Sequence, residues 1–368
     1  MTILRGITVV EFTHMVAGPA CGQVLADLGA DVIKVEPPGG DITRRLGPGN
    51  GETSSLFAGT NRNKRSLCLD LRDGADAARA RALALAADVV VTNVDFAMLE
   101  RAGLGPDALR QENPRLIVAE VTAFGPGGPL GTDGIAQAAM GLMDLTGAKD
   151  GSRYRTGPSI VDVSTGVWAA LGVLAALERR RQTGRGDRIG ASLADVCLYM
   201  QYSQFALFSG DPALVRRNGN HSMVSCTPLF QASDGDVLTT ILHDRHWEVL
   251  CAMVDRPDLL ARPDLATNDL RCAAQGVIED LLNPTFRRRP RHEWVAELRA
   301  KRIPCGPVRS YAEITDDPEL RARGMLYALD DPGGGATLQV GMPLSFQEFT
   351  PDPARPAPPL QSRERAEA

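Results

Sequence analysis

Short apolar runs and helical patterns alternate along the first half of the chain. Turn residues bound each run, which is typical of strands that are buried on both faces of a sheet. The predicted strands lie at residues 6–12, 31–36, 61–70, 87–93, 115–121 and 189–193. Between the first two, small residues at 17–19 connect into a helix over 20–28. This strand–helix–strand unit is typical of a doubly wound α/β fold with an open sheet.

The strongest helical pattern in the chain lies within residues 155–181. Its apolar positions fit one wide face of a buried helix. These positions are Val167, Trp168, Leu171, Val173, Leu174, Ala175 and Leu177. Three arginines at 179–181 would lie in the last turn, where cations face the negative end of the helix dipole. Gly184 is a natural residue to end this helix.

Asp162 lies at or just before the start of this helix. A carboxylate there feels the positive end of the helix dipole and stays ionised, which makes Asp162 a candidate nucleophile. The alternative is an ordinary N-cap, because Asp is among the best capping residues. From these residues alone, the cap is the commoner role.

The pattern changes near residue 216. Residues 228–232 and 236–242, joined through a Ser-Asp-Gly turn, form a predicted β-hairpin. We therefore interpret residues 1–217 as a large domain and residues 218–320 as a smaller α+β domain. Further helices are predicted at residues 76–86, 135–145, 194–208, 247–254, 275–282 and 293–301.

Composition narrows the possible classes of function. A length of 368 residues suggests about two domains, and a net charge of −5 gives no reason to expect nucleic acid or an anionic membrane. We expect no signal peptide and, without a run of about eighteen apolar residues, no membrane span. The seven cysteines form no CxxC pair, so free thiols in the cytoplasm are expected. His243 and His246 lack further ligands at a metal-binding spacing, so we expect no metal.

Several connections offer places where a ligand can approach. The first loop lacks a GxGxxG motif, which argues against NAD or FAD, but its small residues let a ligand approach a helix N-terminus. Asn93 ends a predicted strand, at the edge where open α/β sheets bind ligands. The basic residues at 61–65 either meet phosphates or form a solvated turn. The glycine-rich loop 122–134 is either flexible or closely approached by a ligand.

Long motifs with specific spacing run along nearly the whole chain. They are VAGPACGQVLADLGADVIKVEPPGGD (16–41), NRNKRSLCLDL (61–71), ADVVVTN (87–93), LERAGL (99–104), NPRLI (113–117), DGIAQAAMGLMDLTG (133–147), GVLAALERRRQTGRGDRI (172–189), IPCGPVRS (303–310) and DDPELRARGM (316–325). Together they resemble the class III CoA-transferase family, which includes formyl-CoA transferase, carnitine CoA-transferase and the α-methylacyl-CoA racemases.

The resemblance implies an enzyme that acts on an acyl-CoA and a carboxylic acid, with no metal and no permanently bound cofactor. In the family, an Asp just before the long apolar helix is the nucleophile, and the matching residue here is Asp162. It would form an aspartyl mixed anhydride and then an aspartyl–CoA thioester. By resemblance, coenzyme A would contact Val16, Ala17, Leu69, Asp70, Leu71, Arg72, Asn93, Val94, Arg101, Thr132 and Asp133.

The resemblance also implies an architecture. It predicts a Rossmann-like large domain, completed by a C-terminal segment at residues 321–368, and two chains interlocked as a homodimer. Loops 125–134 and 218–224 are predicted lids that keep water from the reactive intermediates. A cytoplasmic location is expected, with no nucleic-acid or membrane partner.

Three departures from the family pattern bear on the reaction. Racemases carry a His at the position of Thr132, and Thr is no acid or base at neutral pH, so racemisation is disfavoured. Residues 223–225 (Met-Val-Ser) stand where formyl-CoA transferase has glycines, which argues against a formate and oxalate pair. The Phe-Arg-Pro-Gly motif that usually follows the Asn93 position in the family is replaced by Val-Asp-Phe-Ala at 94–97, so the contacts with coenzyme A are expected to differ there.

We predict a CoA-transferase. The alternatives are a racemase or isomerase of the same family, or a CoA-binding protein without turnover.

Overall fold

The computed structural model describes residues 3–49, 53–149, 151–331, 335–349 and 354–361. Its contacts divide the chain into two compact units. The first comprises Met1–Met140, Thr156–Met200 and Pro318–Ala368, and the second comprises Gly141–Arg155 and Gln201–Asp317.

Strands and helices alternate along the first half of the chain, and helices dominate the second half. The strands are β1 Thr8–Phe12, β2 Asp31–Glu36, β3 Arg65–Cys68, β4 Val89–Thr92, β5 Ile117–Thr122, β6 Arg188–Ser192, β7 Leu229–Ala232, β8 Gly235–Thr239, β9 Cys305–Pro307, β10 Leu326–Asp330 and β11 Ala336–Val340. The helices are α1 Ala17–Asp27, α2 Ser55–Asn61, α3 Gly74–Ala86, α4 Phe96–Arg101, α5 Pro106–Glu112, α6 Asp133–Ala139, α7 Leu142–Leu145, α8 Ile160–Thr183, α9 Leu193–Tyr199, α10 Tyr202–Gly210, α11 Asp244–Met253, α12 Asn268–Ala273, α13 Gln275–Phe286, α14 Arg291–Ala300, α15 Tyr311–Thr315 and α16 Pro318–Ala322.

A parallel open sheet forms the centre of the first unit. Its order is β3-β2-β1-β4-β5-β6, and each neighbouring pair is parallel. This order is that of the doubly wound Rossmann sheet, so the predicted fold class is confirmed. Helices α3, α4 and α5 contribute Ala84, Leu99 and Leu109 to a core that includes Val10 and Val90 of the sheet. Because helices cover the sheet, the strands are buried, and their sequences are therefore continuous apolar runs.

Helix α8 packs along α1 through small residues. A Cβ added to Gly166 would stand 2.6 Å from the Cβ of Ala20 and 2.7 Å from the carbonyl oxygen of Ala17. Only glycine permits so close an approach of two helix backbones. The predicted end of the helix is confirmed, because Gly184 adopts a left-handed φ of 71°.

The predicted buried face of α8 is wrong for its larger residues. Val167, Trp168 and Leu171 are 48%, 37% and 51% exposed in the single chain, whereas Ala169 and Ala170 are buried. The close approach of α1 selects small side chains on the buried face. The larger apolar side chains are left on the opposite side of the helix.

By length and composition, α8 is also apolar enough to cross a membrane. Among the described residues it is the one helix with these properties, with a mean hydropathy of 1.8 in its most apolar window, contrary to the sequence expectation. The core helix of a soluble protein passes the same test. Here α8 packs against α1, β5, β6 and α9, and Asp162 lies in its first turn. Packing within the first unit accounts for the small apolar residues of α8, whereas Val163, Val167, Trp168 and Leu171 stay exposed in the single chain.

Two of the three basic residues at 61–65, Arg62 and Lys64, are not part of a solvated turn, whereas Arg65 is exposed and pairs with Asp31. Arg62 is buried, pairs with Asp27, and donates a hydrogen bond to the carbonyl oxygen of Val340 on β11 (2.8 Å). Lys64 is buried as well. The sequence pattern could not show this burial, because part of the covering chain comes from residues far away in sequence.

The C-terminal part of the chain supplies that cover. The amide of Asn63 donates to the carbonyl oxygen of Arg355 (3.0 Å), and Arg44 donates to that of Pro358 (3.1 Å). Ala357 packs in a small apolar cluster with Phe57 and Ala58 of α2. The compact first unit resumes at Pro318, three residues before the predicted segment 321–368.

The second unit contains the predicted hairpin, formed by antiparallel β7 and β8. Strand β9 joins it as a third strand that the sequence did not predict, because three residues cannot show an alternating pattern. Stacked rings form its core, with centroids 4.1 Å apart for Phe230 and Phe286 and 4.4 Å apart for Phe286 and Trp294.

The limits of the second unit differ from the predicted domain limits. The sequence placed them at residues 218 and 320, whereas the compact unit runs from Gln201 to Asp317 and includes Gly141–Arg155. The predicted helix over 135–145 is broken into α6 and α7, because Gly141 takes a left-handed φ of 85°. A left-handed residue interrupts the right-handed helix, and the chain leaves the first unit at this break.

Candidate active site

Asp162 is the third residue of α8, but it does not cap the helix. The N-cap residue is Ser159, which makes no side-chain capping bond. Instead, Asp133 at the start of α6 accepts hydrogen bonds from the amides of Val161 (2.8 Å) and Asp162 (3.1 Å) through Oδ2. Asp133 thus satisfies two of the amides that a helix N-terminus leaves free. The N-cap alternative for Asp162 is therefore wrong.

Asp133 is itself held by a buried amide. Gln137, one turn later on α6, donates from Nε2 to Asp133 Oδ1 (2.5 Å) and to the hydroxyl of Thr156 (3.0 Å). Its Oε1 accepts from the amide of Thr156 (3.0 Å). The carboxylate of Asp133 is buried and has protein partners on both oxygens. Its predicted contact with coenzyme A stays a prediction, and its visible role is to hold the start of α8.

The carboxylate of Asp162 has a different environment. Within the described ranges, no side chain or backbone group donates a hydrogen bond to it. Burial, and next the negative charge of Asp133, raise the pKa of Asp162 from its ordinary 3.8 to about 6. The sequence analysis predicts an ionised carboxylate stabilised by the helix dipole, but the two amides nearest to it donate to Asp133, and the pKa of Asp162 is raised. Asp162 is still mostly ionised at pH 7 and is more basic than an ordinary carboxylate.

The start of α8 lies next to the first turn of α1. Gly166, one helical turn after Asp162, is the residue that contacts Ala17 and Ala20 of α1. Residues four apart lie on the same face of a helix, about 5–6 Å apart. The candidate nucleophile and the predicted coenzyme A residue Ala17 are therefore neighbours in space, although 145 positions separate them in sequence (162 − 17).

The β1–α1 turn, defined as residues 13–19, meets the end of β4. The amide of His14 donates to Asn93 Oδ1 (2.9 Å), and Asn93 Nδ2 donates to the carbonyl oxygen of His14 (2.9 Å). A Cβ on Gly18 would lie 2.9 Å from Asn93 Cγ, so glycine is required there. β1 and β4 flank the point where the strand order reverses, which is where doubly wound sheets bind ligands.

The N-terminus of α1 carries no capping side chain. Its N-cap residue, Val16, makes no side-chain capping bond, and no acidic residue lies in the first turn. Free amides and the positive end of the helix dipole form a ready site for a phosphate group. The structure thus brings Val16, Ala17 and Asn93 together, as the sequence predicts for one binding site.

The other predicted residues are more dispersed. Leu69 is buried after β3, the edge strand, and Leu71 is half-buried. Arg72 is exposed and pairs with Asp70 (2.9 Å). Arg101 is exposed at the end of α4. The remaining two are a half-buried Val94 after β4 and an exposed Thr132 before α6.

Sequence reasoning missed several residues of this site. Gln137 was not singled out, although its i,i+4 spacing from Asp133 in the motif DGIAQ places the two side chains on one helical face. Lys34 of β2 and Lys64, directly before β3, are buried near the β1–α1 turn and were not predicted as part of the site, since a charged residue in a local pattern carries no signal of its distant partners. In the part of the chain that the structure describes, no group of three His, Cys, Asp or Glu residues could hold a metal.

The Rossmann-type parallel sheet, with an uncapped helix N-terminus at its switch point and a partly buried carboxylate nearby, places the chain among the doubly wound α/β proteins. The profile of CoA-transferase family III matches residues 4–364. The chain therefore belongs to CoA-transferase family III, and the prediction that it is an enzyme of this family is confirmed.

Similar proteins agree with this assignment. Succinyl-CoA:mesaconate CoA-transferase of Haloarcula hispanica is 35% identical, with 100% of this chain and 96% of the relative covered. Succinate–glutarate CoA-transferase of Agrobacterium fabrum is 32% identical, and the match covers 97% of this chain and 92% of the relative. The crystal structure of a CAIB/BAIF family protein from Brucella suis superposes with a TM-score of 0.88, at 32% identity and with 100% and 98% covered.

Proposed function

We propose that this enzyme moves coenzyme A from an acyl-CoA donor to a carboxylic acid acceptor, with Asp162 as the nucleophile. One observation carries the proposal. A largely buried carboxylate, with no hydrogen-bond donor among the described residues, lies one helical turn from the contact with the uncapped N-terminus of α1. Its pKa of about 6 leaves it ionised at neutral pH and more nucleophilic than an ordinary aspartate.

The first half of the reaction transfers the donor acyl group. A carboxylate oxygen of Asp162 attacks the thioester carbonyl of the donor, the C–S bond breaks, and the CoA thiolate leaves. The product is a mixed anhydride between Asp162 and the donor acid. The thiolate then attacks the aspartyl carbonyl, which releases the donor carboxylate and leaves an aspartyl–CoA thioester.

The second half reverses these steps with the acceptor. The acceptor carboxylate attacks the aspartyl thioester, expels the CoA thiolate and forms a second anhydride. The thiolate attacks the acceptor carbonyl of that anhydride, which gives the new acyl-CoA and frees Asp162. No proton is gained or lost over the cycle. Covalent catalysis divides one difficult exchange into steps with good leaving groups.

Other residues bind and orient in this scheme. The amides at the start of α1 and the cations of Arg72 and Arg101 would meet the phosphates of coenzyme A. Asp133 and Gln137 hold the start of α8 and so orient Asp162. The loops 125–134 and 218–224 remain the predicted lids that keep water from the anhydride and the thioester.

The relatives support a dicarboxylic acid as the acceptor. The enzymes of Haloarcula hispanica and Agrobacterium fabrum are named for succinyl-CoA with mesaconate and for succinate with glutarate. All of these acids carry a second carboxylate. Acetyl-CoA:oxalate CoA-transferase of Acetobacter aceti is also named for a dicarboxylic acid, but with a monocarboxylic donor. We therefore propose that the acceptor acid here has two carboxyl groups.

A racemase or isomerase remains the alternative reaction, and a CoA-binding protein without turnover is a second one. Thr132 argues against the racemase because it supplies no acid or base at neutral pH. Incubation with a racemic 2-methylacyl-CoA in deuterated water separates the reactions. Deuterium uptake at C2 by the wild-type enzyme would contradict the transferase.

We also propose a cytoplasmic homodimer, interlocked as the resemblance implies. The exposed apolar side chains of α8, Val163, Val167, Trp168 and Leu171, support a second copy that covers this helix. All seven cysteines are free, which agrees with a reducing compartment. Light scattering after size exclusion tests the assembly: wild type should have twice the chain mass, and Leu171→Glu should weaken the dimer. A monomeric wild type would contradict it.

Intact mass spectrometry tests the covalent mechanism. The enzyme is mixed with succinyl-CoA, glutaryl-CoA or acetyl-CoA and trapped with hydroxylamine or borohydride. The expected result is a modification that maps to Asp162. Asp162→Asn should give no adduct, and the matched control Asp280→Asn, at an exposed position of α13, should behave as wild type. An adduct that persists in Asp162→Asn would refute the assignment of the nucleophile.

A further inference from the structure

The β1–α1 turn is held in an unfavourable backbone conformation. Met15 has a φ of 63°, in the left-handed region that residues other than glycine rarely adopt. The neighbouring His14 is fixed on both its amide and its carbonyl by Asn93. Such conformations persist only where the surrounding structure determines them, and they cluster at ligand-binding segments.

Two buried lysines reach this turn from the strands beside it. Lys34 on β2 donates from Nζ to the carbonyl oxygen of Thr13 (2.8 Å) and to its hydroxyl (3.3 Å). Lys64, directly before β3, donates to the carbonyl oxygen of Pro19 (2.8 Å). Both side chains are 0% exposed. The carbonyl groups of Thr13, just after β1, and of Pro19, in the first turn of α1, are therefore bonded to ammonium groups inside the protein.

Two buried carboxylates balance these lysines. Glu11 Oε1 lies 2.8 Å from Lys64 Nζ and 3.6 Å from Lys34 Nζ. Asp41 Oδ2 lies 3.0 Å from Lys34 Nζ. Burial of four charges is a poor route to stability, because apolar residues of similar volume often do as well. A positioning role explains the cluster better than stability alone.

The orientation of the bonded carbonyls bears on the ligand. Pro19 lies in the first turn of α1, so its carbonyl oxygen points along the helix, away from the N-terminus, and Lys64 holds it there. Lys34 holds the carbonyl of Thr13, which precedes the helix. The two ammonium groups therefore fix the backbone on both sides of the helix N-terminus, where a phosphate would meet the amides. Because the lysines are solvent-excluded, they act through the turn and do not themselves meet a phosphate.

We propose that Lys34 and Lys64 are positioning residues for coenzyme A, which hold the β1–α1 turn in its ligand-binding shape. The inference rests on the proposed function, because it takes coenzyme A as the ligand of this turn. Neither lysine takes part in a chemical step. Their loss therefore weakens the binding of coenzyme A and leaves turnover at saturation largely intact.

The ionisation of Lys64 adds a pH dependence. The charged and titratable groups that face it are Glu11 on β1, Lys34 on β2 and Cys21 on α1. Burial lowers the pKa of Lys64 to about 8, although Glu11 opposes the shift. The ammonium is present at pH 7 and is lost as the pH rises through about 8. Coenzyme A should then dissociate more readily at pH 9 than at pH 7.

The test compares Lys34→Met and Lys64→Met with wild type and with Lys301→Met, an exposed lysine of the second unit as control. Calorimetry gives the dissociation constant of coenzyme A, and steady-state kinetics gives KM and kcat for succinyl-CoA. We expect the dissociation constant and KM to rise about tenfold, because a turn that has lost the hydrogen bond from one buried ammonium group holds the amides of α1 less firmly for the ligand. We expect kcat to change less than about threefold, because the chemical groups are untouched.

A second variant separates positioning from folding. Glu11→Gln with Lys64→Met removes the cation together with its main counter-charge, so no unpaired buried charge remains. If it folds like wild type and still binds coenzyme A about tenfold more weakly, the positioning role is supported. Affinity within about twofold of wild type in folded variants would overturn it. Wild-type protein that binds no coenzyme A would refute the proposed function itself, a distinguishable result.

Discussion

The charge of Asp133 should control the acidic limb of the pH–rate profile. Asp133→Asn keeps the shape of the side chain and one acceptor oxygen for the amides of Val161 and Asp162. It removes the negative charge that, after burial, is the second cause of the raised pKa of Asp162. The substituted chain should therefore have a more acidic Asp162, with the part of the shift caused by burial left in place.

The size of the effect follows from the pKa of about 6. At pH 5 such a group is ionised in roughly one molecule in ten. Loss of the charge of Asp133 lowers the pKa of Asp162 towards its ordinary value, so the ionised share at pH 5 rises by at most about tenfold, from one molecule in ten towards all of them. Activity at pH 5, relative to the plateau of the same variant, should then rise by at most about tenfold.

The assay is kcat/KM for succinyl-CoA and an excess of acceptor acid, measured from pH 4.5 to 8. Wild type should lose activity with a single-proton slope below about pH 6. The plateau of Asp133→Asn should also be lower, because the new amide group meets the amide of Gln137 where a carboxylate oxygen stood. Asp280→Asn controls for the loss of one negative charge at the surface.

Two results would refute this reasoning. An acidic limb at the same pH in wild type and in Asp133→Asn would mean that the charge of Asp133 does not reach Asp162. An acidic limb near pH 4 in wild type would mean that the carboxylate titrating there is not raised by burial.

Three further substitutions test the structure around the site. Asp162→Asn should raise the free energy of unfolding at pH 7 by on the order of 1 kcal/mol. The reason is that the raised pKa of Asp162 makes its ionisation, as the pH rises from about 4 to 6, destabilise the folded state of the wild type. Urea unfolding should therefore show no difference between the variant and wild type below pH 4. Gly166→Val should cost at least about 2 kcal/mol, since its Cβ would stand 2.6 Å from Ala20 on a rigid helix. Arg180→Met should cost about 2 kcal/mol by removing the partner of Asp88 (2.8 Å).

Each of these predictions has a result that contradicts it. An unfolding free energy of Asp162→Asn that differs from wild type equally at pH 4 and pH 7 would exclude the ionisation argument. Gly59→Ala, on an exposed face of α2 with open space at its Cβ, controls for helix propensity, and an equal loss there would remove the packing argument for Gly166. If Arg180→Met is as stable as wild type, the hydrogen bond from the amide of Thr8 is by itself enough to stabilise the carboxylate of Asp88 in the folded protein.

Much of the local structure was predictable from the chain itself. The strands of the parallel sheet follow from apolar runs, and the end of α8 at Gly184 follows from the need for a left-handed residue. Asp162 stood out as a single carboxylate in an apolar segment, and the β7–β8 hairpin followed from its Ser-Asp-Gly turn. All of these are properties of backbone conformation and of neighbours in sequence.

Other features were decided only by the tertiary structure. Periodicity placed Trp168 inside, whereas the close approach of α1 at Gly166 turned it outward. The basic motif at residues 61–65 indicated either a phosphate site or a solvated turn, whereas Lys64 is buried by its neighbours in space. Asp133 caps a helix that starts 27 residues later (160 − 133), which no local pattern encodes. Sequence patterns report what a segment does by itself, but burial, pairing and pKa depend on segments distant in the chain that only the folded packing brings into contact.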